Sequence, residues 1–274
     1  MDVTCKLLVV ETVNVNEKKS ANKLQETWQT YLDNNNIASL TKYLSENSNL
    51  PGPRANLTLA YKLAQLASES WPTYTDYLKR CITEWSKDDE YLRTCRNITL
   101  GYILASHSSE EHWITPLLYE DNYNSMWRPR EAVTLGLEET LRKRPTYTLN
   151  LLEGWNNGDL IVLRNTLMIL ASPPILSENV SVRESLRQYT VEAMNRIKQD
   201  TDSKPKGHDI LKKSLGFIIS VAVVADPEIL ILIEKWVKSG EKTWRSILIS
   251  NLKKKRLTRH YPEETSELLK LLKD

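Results

Sequence analysis

The chain has 274 residues, of which 41% are hydrophobic and 26% are charged, enough apolar residues for a continuous core. Its formal net charge is only +2, which excludes a strong whole-chain attraction to nucleic acid or to a membrane surface. Any such attraction requires that the charges be sorted onto one face.

The N-terminal half reads as helices after an ambiguous start. Residues 1–17 fit either a short strand or a frayed helix, and the helical period begins near residue 20. We predict helices at 21–33, 36–46, 53–69, 73–85 and 88–106. Pro51 and Pro53 separate the second helix from the third, because proline interrupts a helix interior.

The C-terminal half continues as helix pairs. We predict pairs at 109–120 and 124–142, 146–155 and 159–171, 179–199 and 207–223, and 227–238 and 241–257. A terminal helix is expected at 262–273. Pro173 and Pro174 mark a helix end, and Gly240 stands where a helix C-terminus favours glycine.

One sequence motif, called the phrase below, recurs in this pattern: a helix ends in an aromatic residue, and an arginine opens the next helix eight or nine residues later. The copies are Trp85 to Arg93, Tyr119 to Arg128, Trp155 to Arg164 and Trp236 to Arg245. We expect Trp85, Trp155 and Trp236 to occupy equivalent places, packed against the following helix.

A period of 35 to 40 residues built from two helices is typical of HEAT-like repeats. The sequence therefore predicts an all-α solenoid of about six HEAT-like helix pairs, with turns near residues 48, 87, 122, 157, 203 and 240. It would form a single domain over 1–274, with an N-terminal extension at 1–19 and a C-terminal capping segment at 258–274.

The chain lacks the sequence motifs of several common binding and catalytic sites. The chain has no phosphate-binding glycine loop, no H-E-x-x-H and no G-x-S-x-G. His107 and His112 are five residues apart, which is poor ligand geometry on a helix. We predict neither a cofactor nor a metal.

The cellular setting is predicted from what the sequence lacks. Cys5, Cys81 and Cys95 contain no C-x-x-C pair and are odd in number, which favours a reducing compartment. The apolar run Leu7 to Val10 is too short for a signal peptide, and no uncharged stretch reaches 18 residues. We expect a soluble cytoplasmic protein that does not bind a membrane.

The recurring arginines predict an anion-binding face. Those that begin or lie early in a second helix are Arg54, Arg93, Arg96, Arg128, Arg130, Arg164 and Arg245. Stacked once per repeat, they would form a basic ladder able to hold phosphates or an acidic peptide. The alternative is that they pair with acids of neighbouring repeats, for which Asp89 and Asp159 are candidates.

Two further basic clusters occur at predicted helix C-termini, where cations also stabilise the helix dipole. They are Arg142-Lys143-Arg144, and Lys253-Lys254-Lys255-Arg256 with Arg259 and His260.

The stretch from Tyr91 to Leu137 resembles the HEAT-like-repeat alkylpurine DNA glycosylase family. That family has an aromatic residue and an acid four apart, followed about 35 residues later by an arginine in a W-x-x-R-x-A phrase. Trp127, Arg130 and Ala132 match the phrase, so the resemblance implies that Arg130 is the functional arginine.

The chain departs from this family at two positions. Tyr91 stands at the aromatic position, and Cys95 stands at the position of the catalytic acid. A neutral thiol does not stabilise the positive charge that develops on the sugar. If the protein is active, Asp89 is the acid that the sequence offers beside Tyr91 and Arg130.

We therefore expect a non-enzymatic binding module with a basic and aromatic concave face. Its predicted anion-binding residues are Arg93, Arg96, Trp127, Arg128, Arg130, Arg164 and Arg245. The partner is a nucleic-acid backbone or an acidic protein segment. The alternatives are a glycosylase-like enzyme of DNA alkylation repair and a protein–protein scaffold without a nucleic-acid role.

Overall fold

The computed structural model describes the backbone of residues 15–85, 88–200 and 202–272, and side chains from residue 22 onward within those ranges. These residues form α-helices joined by turns, with no strand among them. The predicted all-α class is thereby confirmed. Of the ambiguous segment at 1–17, residues 1–14 lie outside the described residues, and residues 15–17 are helical. Most of the N-terminal extension at 1–19 and the turn near 87 also lie outside the described residues.

The chain divides into two compact units, Met1–Ile103 and Leu104–Asp274. The first unit contains α1 (Val15–Asn34), α2 (Ile37–Glu46), α3 (Leu57–Glu84) and most of α4 (Glu90–Ser106). The prediction of one continuous domain stays a prediction.

The second unit begins with a short 3₁₀ turn at Ser108–Glu110. Its helices are α5 (Glu111–Asp121), α6 (Trp127–Lys143), α7 (Pro145–Trp155), α8 (Leu160–Leu170), α9 (Pro173–Glu178), α10 (Val180–Gln199), α11 (His208–Ala225), α12 (Glu228–Lys238), α13 (Lys242–Leu252), α14 (Lys255–His260) and α15 (Pro262–Leu271). The predicted turns near 122, 157, 203 and 240 all fall between these helices.

Four helices of the second unit pack in series: α6 contacts α8, α8 contacts α11, and α11 contacts α13. The first helices of the pairs lie beside them, with α7 against α6, α10 against α8 and α11, and α12 against α11 and α13. Helix α8 is consequently buried from Leu160 through Leu167. Helix α13 stands at the end of this series and keeps an exposed side.

Several helices begin with a side chain that caps the first turn. Asn56 accepts from the backbone N–H of Leu59, and Asn179 accepts from that of Val182. Such caps satisfy N–H groups that have no partner within the helix. At the other end, Gly240 follows the last turn of α12 with φ +69°, in the left-handed conformation predicted for it.

The structure corrects three helix predictions. The helices expected at 53–69 and 73–85 form one helix, α3, which bends at Tyr74, two residues after Pro72. Proline removes one hydrogen bond and crowds the preceding turn, so it kinks this helix without ending it. Both flanking segments bury apolar residues, which keeps the helix continuous.

The other two corrections concern short helices. Pro173 and Pro174 open helix α9, because proline is well suited to the first turn of a helix. Ile175 and Leu176 of this helix are buried. The helix expected at 241–257 ends at Leu252, and the chain restarts as α14 after an extended Lys254. After this break, Leu257 of α14 is buried.

Within the described residues, none of the helices has the length and apolar character needed to cross a membrane.

Candidate functional site

Arg164 lies inside the second unit, and each of its three guanidinium nitrogens donates a hydrogen bond. The side chain is almost completely buried and forms an ion pair with Glu131 of α6. It also donates to Asn165 Oδ1 at 2.7 Å and to Ser214 Oγ of α11 at 3.2 Å. This arginine therefore joins α6, α8 and α11 instead of presenting its charge at the surface.

Buried amides extend this polar cluster to the turn between α5 and α6. Asn165 donates from Nδ2 to Asn122 Oδ1 at 2.6 Å. Asn122 in turn donates to the carbonyls of Leu118 and Tyr119 at the end of α5. Because buried polar groups are costly unless they are paired, such a network specifies how neighbouring helices align.

Asp159 and Asp89, the acids proposed as arginine partners, cap helices instead. Asp159 accepts from the backbone N–H groups of Ile161 and Val162 at the start of α8. Asp89 accepts from the N–H of Leu92 at 2.8 Å at the start of α4. The acid that pairs with Arg164 is Glu131, which the sequence analysis did not identify; it lies 33 residues earlier, close to one repeat length.

Arg130, the residue that matches the glycosylase arginine, is half-buried near the start of α6. Its Nη1 donates to the carbonyls of Asn124 and Ser125 in the preceding turn. Burial lowers the pKa of Arg130, and the nearby positive charge of Arg164 lowers it further. The visible role of this side chain is to hold the α5–α6 turn.

Trp127 and Arg128 form a stacked pair at the surface. The indole of Trp127 is 53% exposed, and the guanidinium carbon of Arg128 lies 4.5 Å from its ring centroid. A large exposed aromatic ring next to a cation is a common arrangement at ligand-binding surfaces.

The candidate residues of the first unit lie on α4. Arg93 is half-buried and Arg96 is buried. Tyr91 and Cys95 are also buried, and the Tyr91 hydroxyl donates to the Asn56 carbonyl at 2.8 Å. Burial raises the pKa of the Cys95 thiol, so the side chain at the family's acid position is neutral and sealed from water.

None of the three tryptophans that end helices is fully exposed. Trp85 is buried and donates to Thr41 Oγ1 at 3.4 Å. Trp236 is buried edge-on against Trp244 of the following helix, α13. Trp155 is half-buried, and its ring contact is with Tyr119 of the earlier helix α5. The predicted contact with the following helix is therefore seen for Trp236.

Cations collect on α13, α14 and the joint between them. Residues 242–261 contain seven lysines and arginines and no acid. We call these seven residues the basic strip: Lys242, Arg245, Lys253, Lys254, Lys255, Arg256 and Arg259. All are exposed except Lys254, which is half-buried, and none forms an ion pair with a described acid.

Helical geometry aligns one side of this strip. Lys242 and Lys253 are eleven residues apart, so they fall on the same face of α13 about 16 Å apart along its axis. Arg245 lies on the same exposed side, one turn from Lys242. In the sequence, Arg245 and the cluster from Lys253 onward are separate features, and in the structure α13 connects them.

Comparisons with protein-family models, curated proteins and solved structures gave no significant match. Across the described side chains, no group of three or more His, Cys, Asp or Glu residues is arranged to hold a metal ion.

Proposed function

We propose that this protein is a non-enzymatic binding module that holds a nucleic-acid backbone on the basic strip of α13 and α14. The observation that carries this proposal is the run of seven cations without an acid, in a chain whose net charge is only +2. The cations are concentrated in one region of the chain, which a small net charge does not by itself imply.

Helix stability does not account for the strip. Lys253 is the C-cap of α13, where a cation is favourable to the helix dipole. Lys242 and Arg245 lie at the opposite end, in the first turn or just after it, where the dipole disfavours positive charge. Cations that oppose the local dipole and have no acidic partner point to an external anion.

A nucleic-acid backbone fits this surface better than a short acidic peptide. The cations stand at both ends of α13 and continue onto α14. A duplex presents a negative charge about every 1.7 Å along its axis, so it can contact both groups. Separately from the strip, the exposed Trp127 on α6, stacked with Arg128, is an aromatic ring of the kind on which unpaired bases stack.

The test is a salt titration of DNA affinity. The wild-type protein should bind a short duplex or single strand with an affinity that falls steeply as salt rises. The double variant K253Q/K255Q should weaken binding and reduce the slope of log K against log salt by about two units. The matched control, K206Q/K213Q, removes two exposed lysines outside the strip and should leave the slope unchanged.

A second arm separates the strip from the predicted arginine ladder. The double variant R128Q/R130Q tests the W-x-x-R phrase in the same titration. A loss of about two units of slope in this variant, with none in K253Q/K255Q, would place binding on the ladder. No DNA binding at low salt, with binding to polyglutamate, would instead support an acidic protein partner.

The enzyme alternative rests on the intact Trp127, Arg130 and Ala132 phrase. Cys95 is buried and neutral, Tyr91 is buried, and Asp89 caps α4, so no assigned residue supplies a free carboxylate. We expect no release of alkylated purine from duplex DNA. Turnover that disappears in Asp89→Asn would contradict this expectation, and turnover gained in Cys95→Asp would indicate a decayed active site.

Two structural features belong to the same proposal. Serial packing of α6, α8, α11 and α13, with a partner helix beside each, supports a HEAT-like solenoid. The buried thiols of Cys81 and Cys95, which form no disulfide, are consistent with a reducing, cytoplasmic compartment.

If neither the strip nor the ladder binds DNA in the salt titration, the remaining function is that of a protein–protein scaffold.

A further inference from the structure

A cavity of about 420 Å³ opens among α9, α10, α11 and α14, and no predicted function uses it. Its lining consists of Pro173, Ser177, Arg183, Val221, Val224, Ala225 and Arg256. The volume lies within the range of small-molecule sites. The floor of the cavity is aliphatic, and its Val221 is buried while its Val224 is 42% exposed.

The charged groups of this cavity have one sign. Arg183 and Arg256 are the only ionisable residues in the lining, and neither forms an ion pair in the described part of the chain. By contrast, Arg187, one turn further along α10, is paired with Asp226 and Glu228. Asp226 and Glu228 therefore serve Arg187, and the described residues that line the cavity include no carboxylate.

Arg183 is held in place before any ligand arrives. Its Nη1 donates to the carbonyl of Leu176 at 2.7 Å, at the end of α9. The planar group retains further N–H donors for an anion, and an arginine whose side chain is already ordered loses less entropy on binding. Arg256 is exposed on α14 and supplies the second positive charge.

We propose that this cavity binds a small anion with an apolar body, a carboxylate or phosphate head carried on an aliphatic chain. The head would contact Arg183 and Arg256, and the chain would cover Val221, Val224 and Ala225. An aliphatic floor favours the apolar body, and two guanidinium groups that lack an acidic partner in the described ranges select the negative head.

This inference does not rest on the proposed nucleic-acid function, although Arg256 belongs to both surfaces. The two are distinguished by residues that they do not share. Val224 lines the cavity and lies outside the basic strip, whereas Lys253 and Lys255 belong to the strip and do not line the cavity.

The experiment is calorimetric titration of the full chain with four probes below their micellar concentrations: decanoate, decyl phosphate, decylamine and butyrate. Decanoate or decyl phosphate should bind at least about tenfold more tightly than decylamine, which has the same chain and the opposite charge. Butyrate should bind more weakly than decanoate because it covers less of the apolar floor of the cavity. The tighter of the two anions identifies the head group.

Two variants with matched controls locate the site. Val224→Glu places a negative charge at an exposed position on the floor of the cavity and should weaken decanoate binding at least about tenfold. Its control, Ile231→Glu, changes a similarly exposed residue on α12 that does not line this cavity. Arg256→Gln should weaken decanoate by about tenfold, whereas its neighbour Lys255→Gln should not.

Equal binding of decylamine and decanoate would overturn the proposal, as would unchanged decanoate affinity in both Val224→Glu and Arg256→Gln. A DNA salt slope reduced in K253Q/K255Q, with decanoate binding retained, would show that the two surfaces act separately. Loss of decanoate binding in Val224→Glu, with retention of the wild-type DNA salt slope, would show the same from the other side.

Discussion

Arg164 and Arg245 follow a tryptophan by the same nine residues, yet they have opposite environments. Arg164 is buried and paired with Glu131, whereas Arg245 is exposed and has no acidic partner among the described residues. The reason is the place of each helix in the second unit. Helix α8 packs between α6 and α11, while α13 is the last helix of the series and keeps one side open.

The tryptophans of the same two copies show the reverse. Trp155 is half-buried beside Tyr119, and Trp236 is buried against Trp244. A recurring sequence phrase therefore sets where a residue falls along its helix. The facing helix decides whether that residue supports the core or meets solvent. Four expected outcomes test this comparison.

The largest expected effect is at Trp236. Replacing it with alanine leaves a cavity next to Trp244 and should lower the free energy of unfolding by about 3 kcal/mol or more. Trp155→Ala should cost only about 1.5 kcal/mol, because its side chain is already partly in contact with water. Urea denaturation monitored by helical circular dichroism measures both, and equal losses would contradict the comparison.

The arginines should differ in the opposite order. Arg164→Met leaves Glu131 without its partner near the core and should lower the free energy of unfolding by about 3 kcal/mol. Arg245→Met removes an exposed charge and should change it by less than about 0.5 kcal/mol. The same denaturation experiment applies. A loss at Arg245 as large as that at Arg164 would show that Arg245 has a structural partner.

The N-cap of α8 offers a smaller test. Asp159→Ala removes acceptors for two N–H groups of α8 and should cost about 1 kcal/mol. Asp159→Asn, which keeps a capping oxygen, is the control and should restore most of the stability. A silent alanine variant would mean that another group caps α8.

The smallest effect concerns pH. Hydrogen bonding to the N–H of Thr243 lowers the pKa of Glu241, with a further contribution from Lys198. A carboxyl group with a depressed folded-state pKa stabilises the fold above its unfolded pKa. That contribution is lost as the pH falls through the folded value. Wild-type protein should therefore lose slightly more stability on acidification than Glu241→Gln, as measured by urea midpoints from pH 7 downward; parallel curves would argue against this effect.

The periodicity of apolar residues was sufficient to predict most of the helices. The pair on either side of Asn156 appears within one residue of its expected bounds. The pair on either side of Gly240 begins where expected, but its second helix ends at Leu252 instead of residue 257. The errors arose where a local signal competes with packing. Pro72 bends α3 without ending it. Helix α8 ends before Pro173 as expected, but Pro173 then opens a short helix that was not predicted.

The candidate site was less predictable. Arg96 and Arg164 were grouped with exposed arginines because the sequence places them early in second helices, but both are buried. Glu131 gave no local signal as a partner, since it lies 33 residues from Arg164. The cavity between Arg183 and Arg256 joins residues 73 positions apart, and no sequence period connects them.

The sequence by itself determined the all-helical class, most of the helix order and the concentration of cations from Lys242 onward. These properties depend on residues within a few turns of one another, where period, propensity and charge act directly. Only the tertiary structure decided which arginines are neutralised, which tryptophans are buried and where a cavity opens. Those outcomes depend on which distant side chains face one another across packed helices, because burial and pairing are properties of the contact and not of the residue.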